Sequence, residues 1–338
     1  MSGKEKSVEI QPELIQNIRW SYSRGQTMVT AVQLDIFTII NDGQTTLEKV
    51  ARALGSTHRA IRIFLDALVG MGLLGKARGN YKLTPESKEF LVKGEPNYMG
   101  PFILGMQGSE KAWESLTEIV KTGKPIPQFE DPQERTNFFK DLVKGIFPVS
   151  FSSGVILGKK LGVGKTLKNM KVLDLGCGSA PWSLAFSLAD TSTQVVAVDF
   201  PEILDVAQSY VKKMHATRQY EFRPGDYHEV HLEKNAYDAV ILGHICHMEG
   251  ETGTRKLIKR SFDVLKPGGK LLVAEFIAND LRSGPELPLL FALNMLLMTE
   301  HGDVFTTKDL KRWMSLAGFN KVSAQAVQYP VTVMVGTK

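Results

Sequence analysis

The chain has 338 residues, of which 43% are hydrophobic and 23% charged, an ordinary balance for a globular protein long enough to hold two domains. Its 41 basic and 36 acidic residues leave a net charge of +5 spread along the chain, which does not predict nucleic-acid binding. Only two cysteines are present, Cys177 and Cys246, too few for a disulfide framework and consistent with a reducing, cytoplasmic setting.

From the N-terminus, Met1 to Gln11 is polar with no apolar core, so no secretory signal is expected. Apolar residues then recur at helical spacing from Glu13 to Ile40 (Leu14, Ile18, Val29, Val32, Ile36, Ile39), which predicts one or two helices. Asn41-Asp42-Gly43 breaks the pattern, and Thr45 or Thr46 caps a short helix from Leu47 to Leu54. Thr57 to Met71 is a further helix with Ile61, Phe64, Leu65 and Leu68 on one face. Two short strands, Gly72 to Ala77 and Asn80 to Thr84, flank an Arg78-Gly79 turn. Helix, turn, helix and a two-stranded wing make a winged-helix arrangement. His58, Arg59 and Arg62 on its second helix would suit DNA. They are few, however, and an enzyme-like domain follows, so a structural or dimerising module is the better reading.

Between Gly94 and Gly164 lie helical patterns broken at Gly123-Lys124-Pro125-Ile126-Pro127 and Asp131-Pro132. Trp113, Phe138, Phe139, Phe147 and Phe151 are core residues or the roof of a pocket for a flat substrate. The expected division is therefore 1–100 for the winged-helix domain, 101–165 for a helical linker that contributes to the substrate pocket, and 166–338 for an α/β domain.

From Lys171 strands and helices alternate. Strands are predicted at Lys171 to Leu175, Gln194 to Asp199, Tyr220 to Pro224, Tyr237 to Gly243 and Lys270 to Ile277, with Lys266-Pro267-Gly268-Gly269 as the turn before the last. Helices are predicted at Trp182 to Leu188, Ile203 to Met214 and Thr252 to Leu265. The fold class is α/β, a Rossmann-like doubly wound and mostly parallel sheet preceded by a mainly α winged-helix domain. Ligands belong at the carboxyl ends of its strands. Gly176 and Gly178 let backbone pass close to a ligand, and Asp199 at the second strand end can take both hydroxyls of a ribose. The apolar stretch from Leu287 to Met298 is shorter than a membrane span of ~20 residues and reads as a buried helix or pocket wall.

A glycine loop alone leaves NAD open, since Ala180 stands where the dinucleotide fingerprint has its third glycine. The set Asp174-Leu175-Gly176-Cys177-Gly178-Ser179, Asp199, Gly225-Asp226-Tyr227 and Leu265-Lys266-Pro267-Gly268-Gly269 strongly resembles class I S-adenosylmethionine-dependent methyltransferases, from Met170 to the C-terminus. With the winged-helix domain, the chain resembles the small-molecule O-methyltransferases of caffeic acid, acetylserotonin and bacterial natural-product type. The resemblance implies S-adenosylmethionine as cofactor and a homodimer formed through the N-terminal domain. It places Gly176 and Gly178 against the methionine moiety, with Asp174 helping to orient its amino group. Asp199 falls on the ribose and Asp226 on the adenine amino group, with Tyr227 packed on the ring and Gly243 and His244 also at the cofactor.

The same resemblance puts the general base at His247, in Ile241-Leu242-Gly243-His244-Ile245-Cys246-His247, and its acidic partner at Glu275. A neutral imidazole can take a phenol's proton while a carboxylate fixes its tautomer. This chain departs from plant members at Met248, where they carry an acid, and at Val304, where they carry a second glutamate; Asp303 is the adjacent candidate substitute. No Cys or His pair elsewhere completes a metal set with His244, Cys246 and His247, so no metal is expected. His215, His228 and His231 read as solvated surface positions. Phe147, Met106, Asn294, Met295 and Met298, with Phe291 and Leu293, are candidate walls for a flat acceptor.

The expected activity is methyl transfer to a hydroxyl of a small aromatic natural product, with no nucleic acid or membrane as partner. Alternatives are carbon, nitrogen or non-methylating chemistry on the same fold, and an S-adenosylmethionine-sensing DNA-binding regulator.

Overall fold

In the computed structural model, which describes residues 11–105, 110–126 and 131–338, the chain divides into two units, Met1–Leu104 and Gly105–Lys338. The N-terminal periodicity resolves into two helices, Glu13–Gln33 and Ile36–Asn41, because Asp35 adopts a left-handed backbone (φ 50°) between them. Helices Leu47–Ala53, His58–Gly70 and Pro85–Leu91 follow. Each opens on a threonine, Thr46, Thr57 and Thr84, whose hydroxyl oxygen accepts a first-turn N–H at 3.3 Å. Strands β1 (Leu74–Ala77) and β2 (Asn80–Leu83) pair antiparallel around Arg78 and Gly79, both at positive φ as a tight hairpin turn requires. Thr46 bridges Asn80, tying the wing to the helices. The core of this unit is formed by Ile36, Phe37, Val50, Leu65, Leu68 and Tyr81, each at most 1% exposed.

The second unit is built on seven strands. They are β3 (Lys171–Leu175), β4 (Gln194–Asp199), β5 (Tyr220–Pro224), β6 (Tyr237–Gly243), β7 (Leu265–Phe276), β8 (Asn320–Ala326) and β9 (Val331–Thr337). The spatial order is β5-β4-β3-β6-β7-β9-β8. The first five run parallel, and β9 returns antiparallel between β7 and β8. Chain order reverses between β3 and β6, so their carboxyl ends border the crevice where such sheets take ligands. This is the doubly wound, mostly parallel sheet expected from the sequence. The helices Pro132–Gly145 and Phe147–Leu161 belong to this unit, and the second buries Phe147 and Leu157 in its core.

One element, β7, differs from its expected bounds by more than two residues. Strand β7 begins at Leu265 rather than Lys270, since Leu265 pairs with Tyr237 and the register shifts before Ala239 meets Lys270. Pro267-Gly268-Gly269 is therefore an irregularity within the strand. The helix expected from Thr252 runs to Val264 and is preceded by a short helical segment from Cys246, the two meeting at a kink where Gly250 is non-helical (φ 62°, ψ −174°). Among the described residues no single helix is long and apolar enough to cross a membrane.

Candidate active site

The glycine loop leaves β3 with Gly176 (φ 63°) and Gly178 (φ 56°) in left-handed conformations. The N–H groups of Gly176 and Cys177 donate to the Val198 carbonyl at 2.9 and 3.1 Å, which latches the loop to β4. Asp199, the last residue of β4, then grips it from the side. Its Oδ2 accepts the Gly178 N–H and its Oδ1 the Phe200 N–H, both at 2.8 Å. Burial pushes the Asp199 carboxyl up to about 6, against the downward pull of those two N–H donors. Asp174 lies below, 1% exposed, and accepts the Ser183 hydroxyl at 2.5 Å. Burial raises its carboxyl to about 7, and the Ser183 hydrogen bond offsets part of that rise.

Side chains pack so closely on the loop and on the end of β6 that only glycine fits. A Cβ on Gly176 would come 2.7 Å from Ile245 Cγ2, and one on Gly243 would come 2.7 Å from Trp182 Cδ1. Trp182 Nε1 and His244 Nδ1 are buried here without a hydrogen-bond partner. Asp226, half-buried past β5, accepts the His228 N–H on Oδ1 at 2.7 Å. A bare loop, two orphaned polar atoms and a carboxylate at the second strand end fit a small nucleoside carrying a polar tail.

The base candidate is set by β6, β7 and the helix Cys246–Val264. His247 is 7% exposed in the first turn of that helix, and Glu275 on β7 is 2% exposed. Glu275 Oε2 lies 2.7 Å from His247 Nδ1, and its Oε1 accepts the His247 N–H at 3.2 Å. One carboxylate therefore fixes both ring and backbone. Burial alone would raise the Glu275 carboxyl; the charge and hydrogen bond of His247 outweigh it, and the group stays below its ordinary value. His244 is held neutral by burial, which lowers its imidazole to about 4. The Phe291 ring stands edge-on to His247 at 4.9 Å and to Phe276 at 4.6 Å, and Phe276 lies 5.0 Å from His244. Nitrogen and oxygen atoms of His244, His247 and Glu275 all fall within 4.8 Å of one another, so the three could hold a metal ion. The 2.7 Å hydrogen bond already commits two of them to each other.

Two sequence expectations are corrected. Asp303 does not reach His247 with its carboxylate, which pairs with Arg282 at 3.3 Å; only its N–H meets the His247 carbonyl, at 2.9 Å. Val304 beside it is 1% exposed. His228 is half-buried rather than solvated, and its Nε2 lies 2.8 Å from Glu249 Oε2. Glu249 closes the same run, His247-Met248-Glu249, and the sequence assigns it no role.

The candidate acceptor walls separate. Phe147 stacks on Tyr210 at 4.1 Å and Phe151 at 5.4 Å. Met298 packs with Trp113, Ile119 and Leu297. Asn294 is half-buried on the apolar helix Glu286–Met298, which also carries Phe291 and the buried Met295. Met106 lies outside the described residues.

A doubly wound sheet with this loop and these strand-end acids fits a protein that binds a nucleoside cofactor, and comparison with known proteins gives the class. Residues 113–320 match the O-methyltransferase domain and residues 20–93 the O-methyltransferase dimerisation domain. The chain belongs to the O-methyltransferase family and is an S-adenosylmethionine-dependent methyltransferase of small molecules. The tetracenomycin polyketide synthesis 8-O-methyl transferase TcmO of Streptomyces glaucescens is 30% identical over 346 residues, covering 97% of each chain. The 3-hydroxy-5-methyl-1-naphthoate 3-O-methyltransferase of Streptomyces sahachiroi is 26% identical, covering 92% of this chain and 90% of that one. In fold, the chain is similar to human N-acetylserotonin methyltransferase, solved with S-adenosylmethionine, at a TM-score of 0.84 and 22% identity over 99% of each chain.

Proposed function

We propose that the protein methylates a hydroxyl of a small aromatic natural product, with His247 as general base and Glu275 as the residue that orients it. The observation that carries this reading is the double grip of Glu275 on a buried His247, with Phe291 edge-on to the same ring. TcmO and the naphthoate enzyme, named for polyketide and naphthoate O-methylation, support an aromatic acceptor.

S-adenosylmethionine, when bound, supplies a methyl group already activated on a sulfonium sulfur. The residues to hold it are the backbone at Gly176, Gly178 and Gly243, with Asp199 for the ribose hydroxyls, Asp226 for the adenine amino group and Tyr227 for the ring face. Asp174 braces the loop through Ser183, and His244 lines the same space. What remains is to orient the acceptor and take its proton. A phenol has a pKa of about 10, so little phenolate forms unaided at neutral pH. With Nδ1–H donated to Glu275, the Nε2 lone pair of His247 is the free acceptor. As the acceptor oxygen takes the methyl, its proton passes to Nε2, and Glu275 stabilises the imidazolium formed. General-base help of this kind is worth about 10²–10⁴ in rate.

The same reading makes the base metal-independent, so EDTA leaves turnover unchanged. It assigns a homodimer formed through the N-terminal unit, in the cytoplasm, and no nucleic-acid partner: Arg62, one of the few basic residues on the wing-side helix, pairs with Asp66 at 3.3 Å. The test is turnover of 3-hydroxy-5-methyl-1-naphthoate and a panel of polyketide phenols, with mass analysis locating the added methyl. Wild-type protein gives an O-methyl product, and His247→Ala loses about 10²–10⁴ of the rate. Near-native turnover by His247→Ala removes the base assignment, and a methyl found on nitrogen or carbon removes the hydroxyl.

A further inference from the structure

Glu249, two residues after the base, is a polar residue that the proposed mechanism does not use. Its side chain is 18% exposed, and both of its carboxylate oxygens are engaged. Oε1 accepts the Tyr227 hydroxyl at 2.6 Å, and Oε2 lies 2.8 Å from His228 Nε2. Tyr227 in turn reaches the glycine loop: its Cε1 lies 3.5 Å from where a Cβ on Gly176 would stand. Glu249 stands two residues after His247 and directly before the Gly250 kink. Gly253, one turn on, has no Cβ and leaves the space that the carboxylate fills.

A tyrosine wedged against bare backbone needs something to hold its ring angle. Burial, reinforced by the hydrogen bond to Glu249, keeps the Tyr227 phenol above its ordinary value, so its hydroxyl stays a donor. We propose that Glu249 is a positioning residue for the methyl donor. It fixes the Tyr227 ring at the angle that packs on the adenine, and it does so from the turn that carries the base. This inference rests on the assignment of Tyr227 to the adenine ring. Its consequence is a split: cofactor affinity depends on Glu249, whereas turnover at saturating cofactor does not. Re-ordering one freed aromatic side chain when the cofactor binds corresponds to about 5–10-fold in affinity.

The experiment measures binding of S-adenosylhomocysteine by calorimetry, kcat at saturating S-adenosylmethionine, and Tm, for Tyr227→Phe, Glu249→Ala, Glu249→Gln and the double variant Tyr227→Phe/Glu249→Ala. Expected is a loss of about 5–10-fold for each of the first two. The double variant loses no more than either alone, because both remove the same bond. Glu249→Gln, which keeps an acceptor oxygen for the phenol, recovers most of the affinity. For Glu249→Ala and Glu249→Gln, kcat at saturating cofactor stays within about twofold and Tm within a few degrees. Additive losses overturn the proposal, as does an unchanged affinity in Tyr227→Phe and Glu249→Ala alike. So does a fall of kcat in step with Tm, the pattern of a merely structural contact. Tyr227→Ala separates the two levels. If it leaves affinity intact, the adenine assignment itself fails; if it weakens binding while Glu249→Ala does not, only the role of Glu249 fails.

Discussion

The two units break the inside–outside rule in opposite directions. In the N-terminal unit the charges lie where folding alone would put them. Asp66 is partly exposed and shared by Lys76, Arg62 and Tyr81, and the Lys76 hydrogen bond holds its carboxyl below the ordinary value. What is misplaced there is apolar: Leu14, Ile15, Ile18 and Tyr22 lie on one face of the first long helix, each 63–77% exposed. The sheet unit has the converse. Asp174, Asp199, Glu275 and His247 are each less than 9% exposed at or beside strand ends, and burial drives the two aspartates upward, opposite to Asp66. Neither departure helps a lone chain fold, since buried charge costs stability and an exposed apolar stripe gains none. The first asks for a partner surface and the second for a polar ligand.

The contrast can be attacked first where its chemistry is concentrated. Glu275→Gln replaces a group that can accept from both the His247 ring and its N–H with one that can accept from only one of them. The imidazole then loses its fixed tautomer, and turnover is expected to fall about 10³-fold. A value within tenfold of wild type would mean that the buried carboxylate serves the fold rather than the base. Asp199→Asn comes next. Both carboxylate oxygens accept backbone N–H groups, so an amide NH₂ must face one of those donors and also forfeits the charge offered to ribose. Affinity for S-adenosylhomocysteine, read by calorimetry, is expected to fall about 10²-fold, at 1.5–3 kcal/mol for each charge-assisted bond.

How much of this was legible beforehand follows the range of the interactions. The central strands announce themselves because each is a short apolar run bounded by turn residues, as in Val172 to Leu175 and Val195 to Val198. The proposed base and its partner are singled out by the motif in which they sit, although His247 and Glu275 meet only because β6 and β7 are neighbours. What stayed hidden depends on contacts between residues more than twenty positions apart, which local composition does not encode. Gly250 at φ 62° separates a short helical segment from the longer helix after it, and Glu249 at that break reaches Tyr227, 22 residues back in the chain. Asp303 is adjacent to the expected position, yet its carboxylate leaves for Arg282 once Val304 goes inward. The start of β7 was missed because Pro267-Gly268-Gly269 has turn composition but is carried within the strand by a register shift.

The apolar stripe of the other unit yields a smaller effect. Ile18 is 63% exposed in the middle of it. If the dimerisation-domain match at residues 20–93 marks the face that covers this helix, Ile18→Asp places a charge in a dry contact and forfeits about 1.5–3 kcal/mol of apolar burial. Sedimentation at micromolar concentration is expected to show the dimer dissociation constant raised about 10–100-fold, with helix content unchanged. A dimer of unaltered strength would leave the stripe without an occupant and the comparison one-sided.

The smallest effect tests the buried aspartates with no ligand present. Their carboxyls stand near 7 for Asp174 and 6 for Asp199, against about 4 in an unfolded chain. The folded state therefore binds these protons more tightly than the unfolded one. Their protonated forms contribute stability that is complete below about pH 4 and is lost as the pH rises through about 6 and then about 7. Cofactor-free protein should accordingly lose a few degrees of Tm between pH 5 and pH 8. Asp174→Asn, which keeps an acceptor for Ser183 and has no proton to lose, should flatten most of that slope. Affinity for S-adenosylhomocysteine should move the other way, rising with pH through about 6, because ribose hydroxyls donate better to the ionised Asp199. Stability and binding that rose together over this interval would mean that the sheet unit carries its carboxylates on the same terms as the N-terminal unit carries Asp66.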